Sequence, residues 1–172
     1  VLSGSGTPLE MYYLAILCRE NLLFTIHQKP VLHLQQTDLF EGAEDWLPDA
    51  SIAGLLSSIL IDLSQACLQN TSELRRSIIT MQERMDRDPE TVGAEEILDI
   101  QSEVVALDTV VSDQFPPVEA LGMSDKPFFN LKDSREYSNC AMVNLQAARG
   151  SLSRLFDSVA TLRSGFQMYA QD

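Results

Sequence analysis

The chain has 172 residues, 45% of them apolar, with 25 acids against 12 bases and a formal charge of −13. That length holds one domain of ordinary size, or a small domain with an extension, and the apolar fraction supports a core and excludes wholesale disorder. The acidity argues against nucleic acid or an anionic membrane face as the direct partner; it suits cations or basic proteins, beside the plainer role of keeping the chain soluble.

Residues 1–8 read as a loop with a Ser/Gly-rich lead and no charged start, so no signal peptide is expected. Residues 9–17 are apolar and aromatic (Met11-Tyr12-Tyr13-Leu14-Ala15-Ile16-Leu17) and predict a strand. Arg19-Glu20-Asn21 suits a tight turn, and residues 22–27 predict a second strand, which closes a β-hairpin. Two strands alone are marginal in water, so the hairpin needs more sheet or covering helices. Pro30 ends the strand region, and residues 31–46 hold a short helix.

Asp49 is a suitable N-cap for a helix running from Ala50 to about Asp86. Its seam is Leu56, Leu60, Leu63, Cys67, Asn70, Leu74 and Met81, with Ile78 and Met85 nearby. Asn70 is the polar exception, either a register-fixing seam residue or one that faces water. Asp88-Pro89-Glu90 breaks the helix, because proline cannot continue it. A further helix is expected from about Glu90 to Phe115, with seam Ile97, Ile100, Val104, Leu107 and Val111, ended by Pro116-Pro117.

The last forty residues, 133–172, contain no proline and read as one helix of roughly 60 Å. Apolar or small residues recur at Ala141, Leu145, Ala148, Leu152, Leu155, Val159, Leu162, Phe166 and Tyr169 in steps of four and three. That is the spacing of a helix packed lengthwise on other helices. No glycine or proline caps its end, which predicts a helix that runs on. No uninterrupted apolar run approaches the ~20 residues of a membrane span. Together these elements predict a mainly α fold with a small β part (α+β): a β-hairpin and a short helix over residues 1–48, and a long helical hairpin plus a last long helix over residues 49–172.

Charge is uneven. Between Asp88 and Asp125 lie ten acids and no lysine or arginine. A helix of this kind gains nothing from i,i+4 ion pairs and must be held by its apolar stripe. The acids are either a solvated face or an electrostatic sink for cations, and Glu95, Glu96, Asp99 and Asp172 are the candidate metal-facing carboxylates.

Other chemistry is sparse. Cys18, Cys67 and Cys140 are far apart in apolar surroundings, which suits buried thiols in a reducing compartment. His27 and His33 lack the companions of a zinc site. The methionines, among them Met81, Met85, Met142 and Met168, sit at helical spacing as packing residues. No phosphate-binding glycine loop or activated nucleophile is present, so no enzyme is expected. The long helices carry no histidine, which sets aside a ferritin-like metal site.

Three features together resemble the CorA-type family of divalent-cation transporters: the hairpin around Arg19-Glu20-Asn21-Leu22-Leu23-Phe24-Thr25-Ile26-His27, the helix pair joined by Asp88-Pro89-Glu90, and the terminal helix with Leu162-Arg163-Ser164-Gly165-Phe166 and Tyr169. The resemblance covers about residues 9–172. It implies the cytoplasmic gating region of a membrane transporter for Mg2+, or for Zn2+ or Co2+, on the inner face of the cell membrane, with residues 1–48 as the C-terminal part of a cytoplasmic α/β domain and the last helix as a stalk. It also implies a pentameric homo-oligomer, a last helix that continues into the membrane through a C-terminal segment lying beyond Asp172, and a Gly-Met-Asn signature there. Counting back from Ser164-Gly165, the family's regulatory aspartate falls near Asn144 and its pore-entry acid near Met168, one turn from Asp172. The resemblance implies no tightly bound cofactor, the divalent cation being transported or regulatory. The other reading of the same residues is a soluble acidic coiled-coil module that binds a basic protein.

Overall fold

The computed structural model describes residues 12–19, 22–28, 52–123 and 131–170, the last stretch with its side chains from residue 136 onward. It is mainly helical with a small antiparallel hairpin, as the residue pattern predicts. Strand β1 (Leu14–Arg19) pairs with β2 (Leu22–His27), from Leu14 opposite His27 to Arg19 opposite Leu22. The expected first strand, residues 9–17, is therefore displaced toward the C-terminus. Arg19, read as a turn residue, is the last strand residue, because only two residues separate it from its partner Leu22. Residues 9–11, Asp49 and the short helix expected over 31–46 lie outside the described residues.

Three helices follow: α1 (Ile52–Arg87), α2 (Ala94–Gly122) and α3 (Leu131–Tyr169). Helix α3 packs against both of the others, more extensively than they pack against each other. The core is one continuous seam. From α1 it takes Cys67, Leu74, Ile78, Met81 and Met85; from α2, Ile97, Ile100, Val104, Leu107, Val111 and Val118; from α3, the predicted row Ala141 to Leu162. Every α3 seam residue from Ala141 to Leu162 is at most 4% exposed. The row stops one step earlier than its spacing suggests: Phe166 is partly buried and Tyr169 is 55% exposed.

The N-terminal half of α1 is long and apolar enough, by length and composition, to pass for a membrane span, although no unbroken apolar run marks it. Half of that window is buried within the fold. The reason is geometric: one face meets α2 and α3, while Ala53, Leu56 and Leu60 meet the inward hairpin residues Ile16, Cys18 and Leu23. A helix apolar on more than one side is a central core helix in a fold of this kind.

The junction of α1 and α2 is tightly specified. Arg84 and Arg87 sit in the last turn of α1, where cations oppose the helix dipole. A 3-10 turn over Pro89–Thr91 follows, its start capped by Asp88, whose side chain accepts from the Glu90 N–H at 3.2 Å. Gly93 precedes α2, and Glu95 and Glu96 occupy its first turn, where acids are favoured.

The largest departure from the expected architecture is at Pro116-Pro117. Helix α2 does not end there but passes through both prolines to Gly122. Each proline removes one i→i−4 bond, leaving the carbonyls of Ser112 and Asp113 without helical donors. Ser112, Asp113, Pro116 and Pro117 are all exposed, so the interruption lies on the solvent side of α2. The turn beyond them is held by Val118, 2% exposed, and by Leu121 against Leu56 and Ala53. Tertiary burial outweighs the local breaking signal.

Near the far end of the bundle, Gly165 of α3 lies against Met85 of α1. A Cβ at Gly165 would stand 2.9 Å from the Met85 terminal methyl, so even alanine forces that side chain to move. Glycine costs about 1 kcal/mol in a helix interior relative to alanine, and the close approach of Met85 is what it permits here.

Candidate functional site

Helix α2 carries seven acids and no lysine or arginine. Its buried stripe faces α1 and α3, which leaves the carboxylates on the outer faces: Glu95, Asp99, Asp113 and Glu119 are exposed, and Glu96, Glu103 and Asp108 are half-buried. The result is a strip of negative potential along one long element.

The strip is not uniform. Glu96 is taken by Arg84, whose Nη1 donates to Glu96 Oε2 at 2.8 Å, while Nη2 also reaches Glu96 Oε1 at 3.3 Å and donates to the Thr91 carbonyl. The hydrogen bond from Arg84 holds the Glu96 carboxyl below its ordinary range. Arg84 thus ties the end of α1 to the turn and to the first turn of α2. Glu95 and Asp99 point outward from the same region. Asp172 lies outside the described residues. Among the described residues no group of three or more His, Cys, Asp or Glu is gathered to hold a metal ion. The acids form a field, not a cage.

Two predictions arise here. Replacing Arg84 by alanine should speed amide exchange in residues 88–96 while leaving the protection of the central seam of α3 unchanged, because the pair is solvent-exposed and local. The second concerns Glu103. Burial, and then the charge of Asp99 four residues earlier, push its carboxyl above the ordinary value. A carboxyl whose pKa rises on folding costs stability as pH rises from its unfolded to its folded value. Glu103→Gln should remove that cost, so the urea midpoint of the variant should gain on wild type as the pH rises above the ordinary carboxylate range.

The resemblance-based positions have definite surroundings. Asn144 is half-buried and turned into the bundle, its Nδ2 donating to Ser64 Oγ of α1 at 3.0 Å. Met168 is 71% exposed at the end of α3. Asn70, the polar exception read from the α1 stripe, is half-buried and donates to the Ala66 carbonyl of its own helix at 2.7 Å. Cys67 is buried and Cys18 half-buried, but Cys140 is exposed, contrary to the expectation of three buried thiols. It falls one residue before the seam residue Ala141, on the neighbouring outer face of α3. His27 is exposed, and His33 lies outside the described residues.

Among the described residues, a cavity of about 560 Å3 lies between the hairpin and α1 and α2. Its walls are mostly apolar, including Tyr12, Ile16, Leu56, Leu60 and Leu121, with Gln114 as a polar group. The opposite hairpin face is also apolar: Tyr13, Leu17, Phe24 and Ile26 are 52–79% exposed. Neither feature could be read from the strand pattern alone, because alternation fixes two faces without saying what covers each.

In comparison with known proteins, the family described as CorA-like Mg2+ transporter protein matches residues 2–172, essentially the whole chain. No curated protein matches, and no solved structure matches.

Proposed function

This chain belongs to the CorA-like Mg2+ transporter family, and from that premise we propose that it is the cytoplasmic gating and regulatory region of a divalent-cation transporter, with Mg2+ as the principal ion and Zn2+ or Co2+ as further cargo. The family match over the whole chain carries this reading. The architecture supports it: a hairpin seated on one end of a bundle, an acidic helix, and a 39-residue α3 that packs on both other helices. In this reading α3 is the stalk that connects the bundle with the membrane part, and five copies surround one pore. The outward acids Glu95 and Asp99, with Asp172 farther on, raise the local concentration of divalent cations by their field rather than by forming a resident site. Glu96 contributes less, since Arg84 neutralises it. Transport is by conduction or exchange and involves no chemical conversion.

Cys140 provides a direct test of sidedness, because it is free and exposed on α3. In a variant with Cys18 replaced by alanine, a membrane-impermeant maleimide should label Cys140 in inside-out vesicles and not in intact cells. Labelling from the outside of intact cells would overturn the cytoplasmic placement.

A further inference from the structure

The three-helix seam is apolar along most of its length, and a layer of hydrogen-bonded polar side chains crosses it. On α1 the layer consists of Ser64, Cys67 and Thr71, spaced three and four apart on one face, and they are 0–3% exposed. Asn144 of α3 donates to Ser64 Oγ at 3.0 Å, and Ser64 Oγ in turn donates to the Ile61 carbonyl at 2.7 Å. Gln114 of α2 donates through Nε2 to Cys67 Sγ at 3.3 Å. Thr71 Oγ1 donates to the Cys67 carbonyl at 2.7 Å. Within one turn of α1, therefore, each of the other two helices is tied to it by a side-chain hydrogen bond. Burial pushes the Cys67 thiol up, so the sulfur stays neutral through the physiological range.

We infer that the Ser64–Asn144 and Cys67–Gln114 pairs are a register lock, which fixes the axial position of α3 and α2 against α1. The seam on the far side of this layer is made of aliphatic and methionine side chains: Leu74, Ile78, Met81 and Met85 face Leu145, Leu152, Leu155, Val159 and Leu162. Such surfaces repeat every three or four residues and match nearly as well after a shift of one turn. Hydrogen-bonding groups do not. A shift of one turn separates Asn144 from Ser64 and Gln114 from Cys67, stranding buried polar atoms in an apolar seam. The hairpin packs on α1 to the N-terminal side of this layer, around Ala53 and Leu56. Movement of α3 is thereby transmitted to α1 and its hairpin as a unit rather than lost as sliding. The lock does not depend on the transport reading, since it concerns only how the three helices are held.

The test separates register from stability. Spin labels are placed at Arg76→Cys on α1 and Asn139→Cys on α3, both exposed positions offset along the bundle axis, with Cys18 and Cys140 replaced by alanine. Distances are measured in three backgrounds of the 172-residue chain: unaltered, S64A/N144L, and S64N/N144S, which exchanges the two partners. The unaltered pair should give one narrow distance. S64A/N144L should keep its helicity and its melting temperature but add a second population displaced by about 5 Å, one helical turn. S64N/N144S should restore a single distance. A single unshifted distance in folded S64A/N144L would overturn the lock. If S64A/N144L does not fold, the exchange variant decides: one unshifted distance upholds the lock, and a split or absent distance refutes it.

Discussion

Replacing Leu152 by alanine should lower the unfolding free energy of the chain by roughly 2–5 kcal/mol. Leu152 is fully buried at the middle of the α3 seam, in the cluster shared with α1 and α2. Truncation there loses the transfer energy of the side chain and leaves a void in an interior that three long helices cannot easily collapse around. Val143, on the same helix but 62% exposed, is the control: Val143→Ala should change stability by no more than about 0.5 kcal/mol. Urea unfolding followed by circular dichroism measures both. Equal effects at the two positions would mean that α3 is not the central packing element described above.

The double substitution P116A/P117A should stabilise the chain by roughly 3 kcal/mol or more. A proline in a helix interior is about 3 kcal/mol less favourable than alanine, and α2 contains two in succession. The gain is reduced by about 1 kcal/mol per site, because alanine frees the unfolded chain. The experiment distinguishes two architectures. If α2 ended at Phe115 and a new helix began at Pro116, both prolines would lie in a first turn that tolerates them, and the substitutions would give no gain. A continuous α2 predicts a clear rise in the urea midpoint.

These two cases also show where the sequence was legible. The α3 seam from Ala141 to Leu162 and the α2 seam from Ile97 to Val111 were predicted residue by residue, because long amphipathic periodicity is a strong local signal and burial followed it. The hairpin is legible as well, but its first strand lies nearer the C-terminus than the apolar run suggests, since such a run does not reveal which of its residues find partners. The prolines misled because local propensity carries no account of what Val118 gains by docking in the core. Tyr169 misled in the other direction: the spacing continues past the reach of the helices that α3 packs against.

The polar groups were the least legible part. Asn70 stood out from the α1 stripe, yet it bonds its own helix, while the residues that join helices, Ser64 with Asn144 and Cys67 with Gln114, are separated by 80 and 47 positions. No pattern within one helix announces such a pairing. The acids of α2 were visible as a charge run, but not the capture of Glu96 by Arg84 across the turn, which divides the run into one neutralised carboxylate and its outward neighbours.

The measurement that bears most directly on the function is divalent-cation flux. The full product of the gene, purified and reconstituted into liposomes loaded with a Mg2+-sensitive dye, should admit Mg2+ when the ion is added outside, and liposomes without protein should not. The same preparation carrying S64A/N144L should retain conduction but show an altered dependence on Mg2+ at the cytoplasmic side, because the bundle is the proposed regulatory region. Absence of flux for Mg2+, Zn2+ and Co2+ alike, from protein shown to be folded and inserted, would contradict the account.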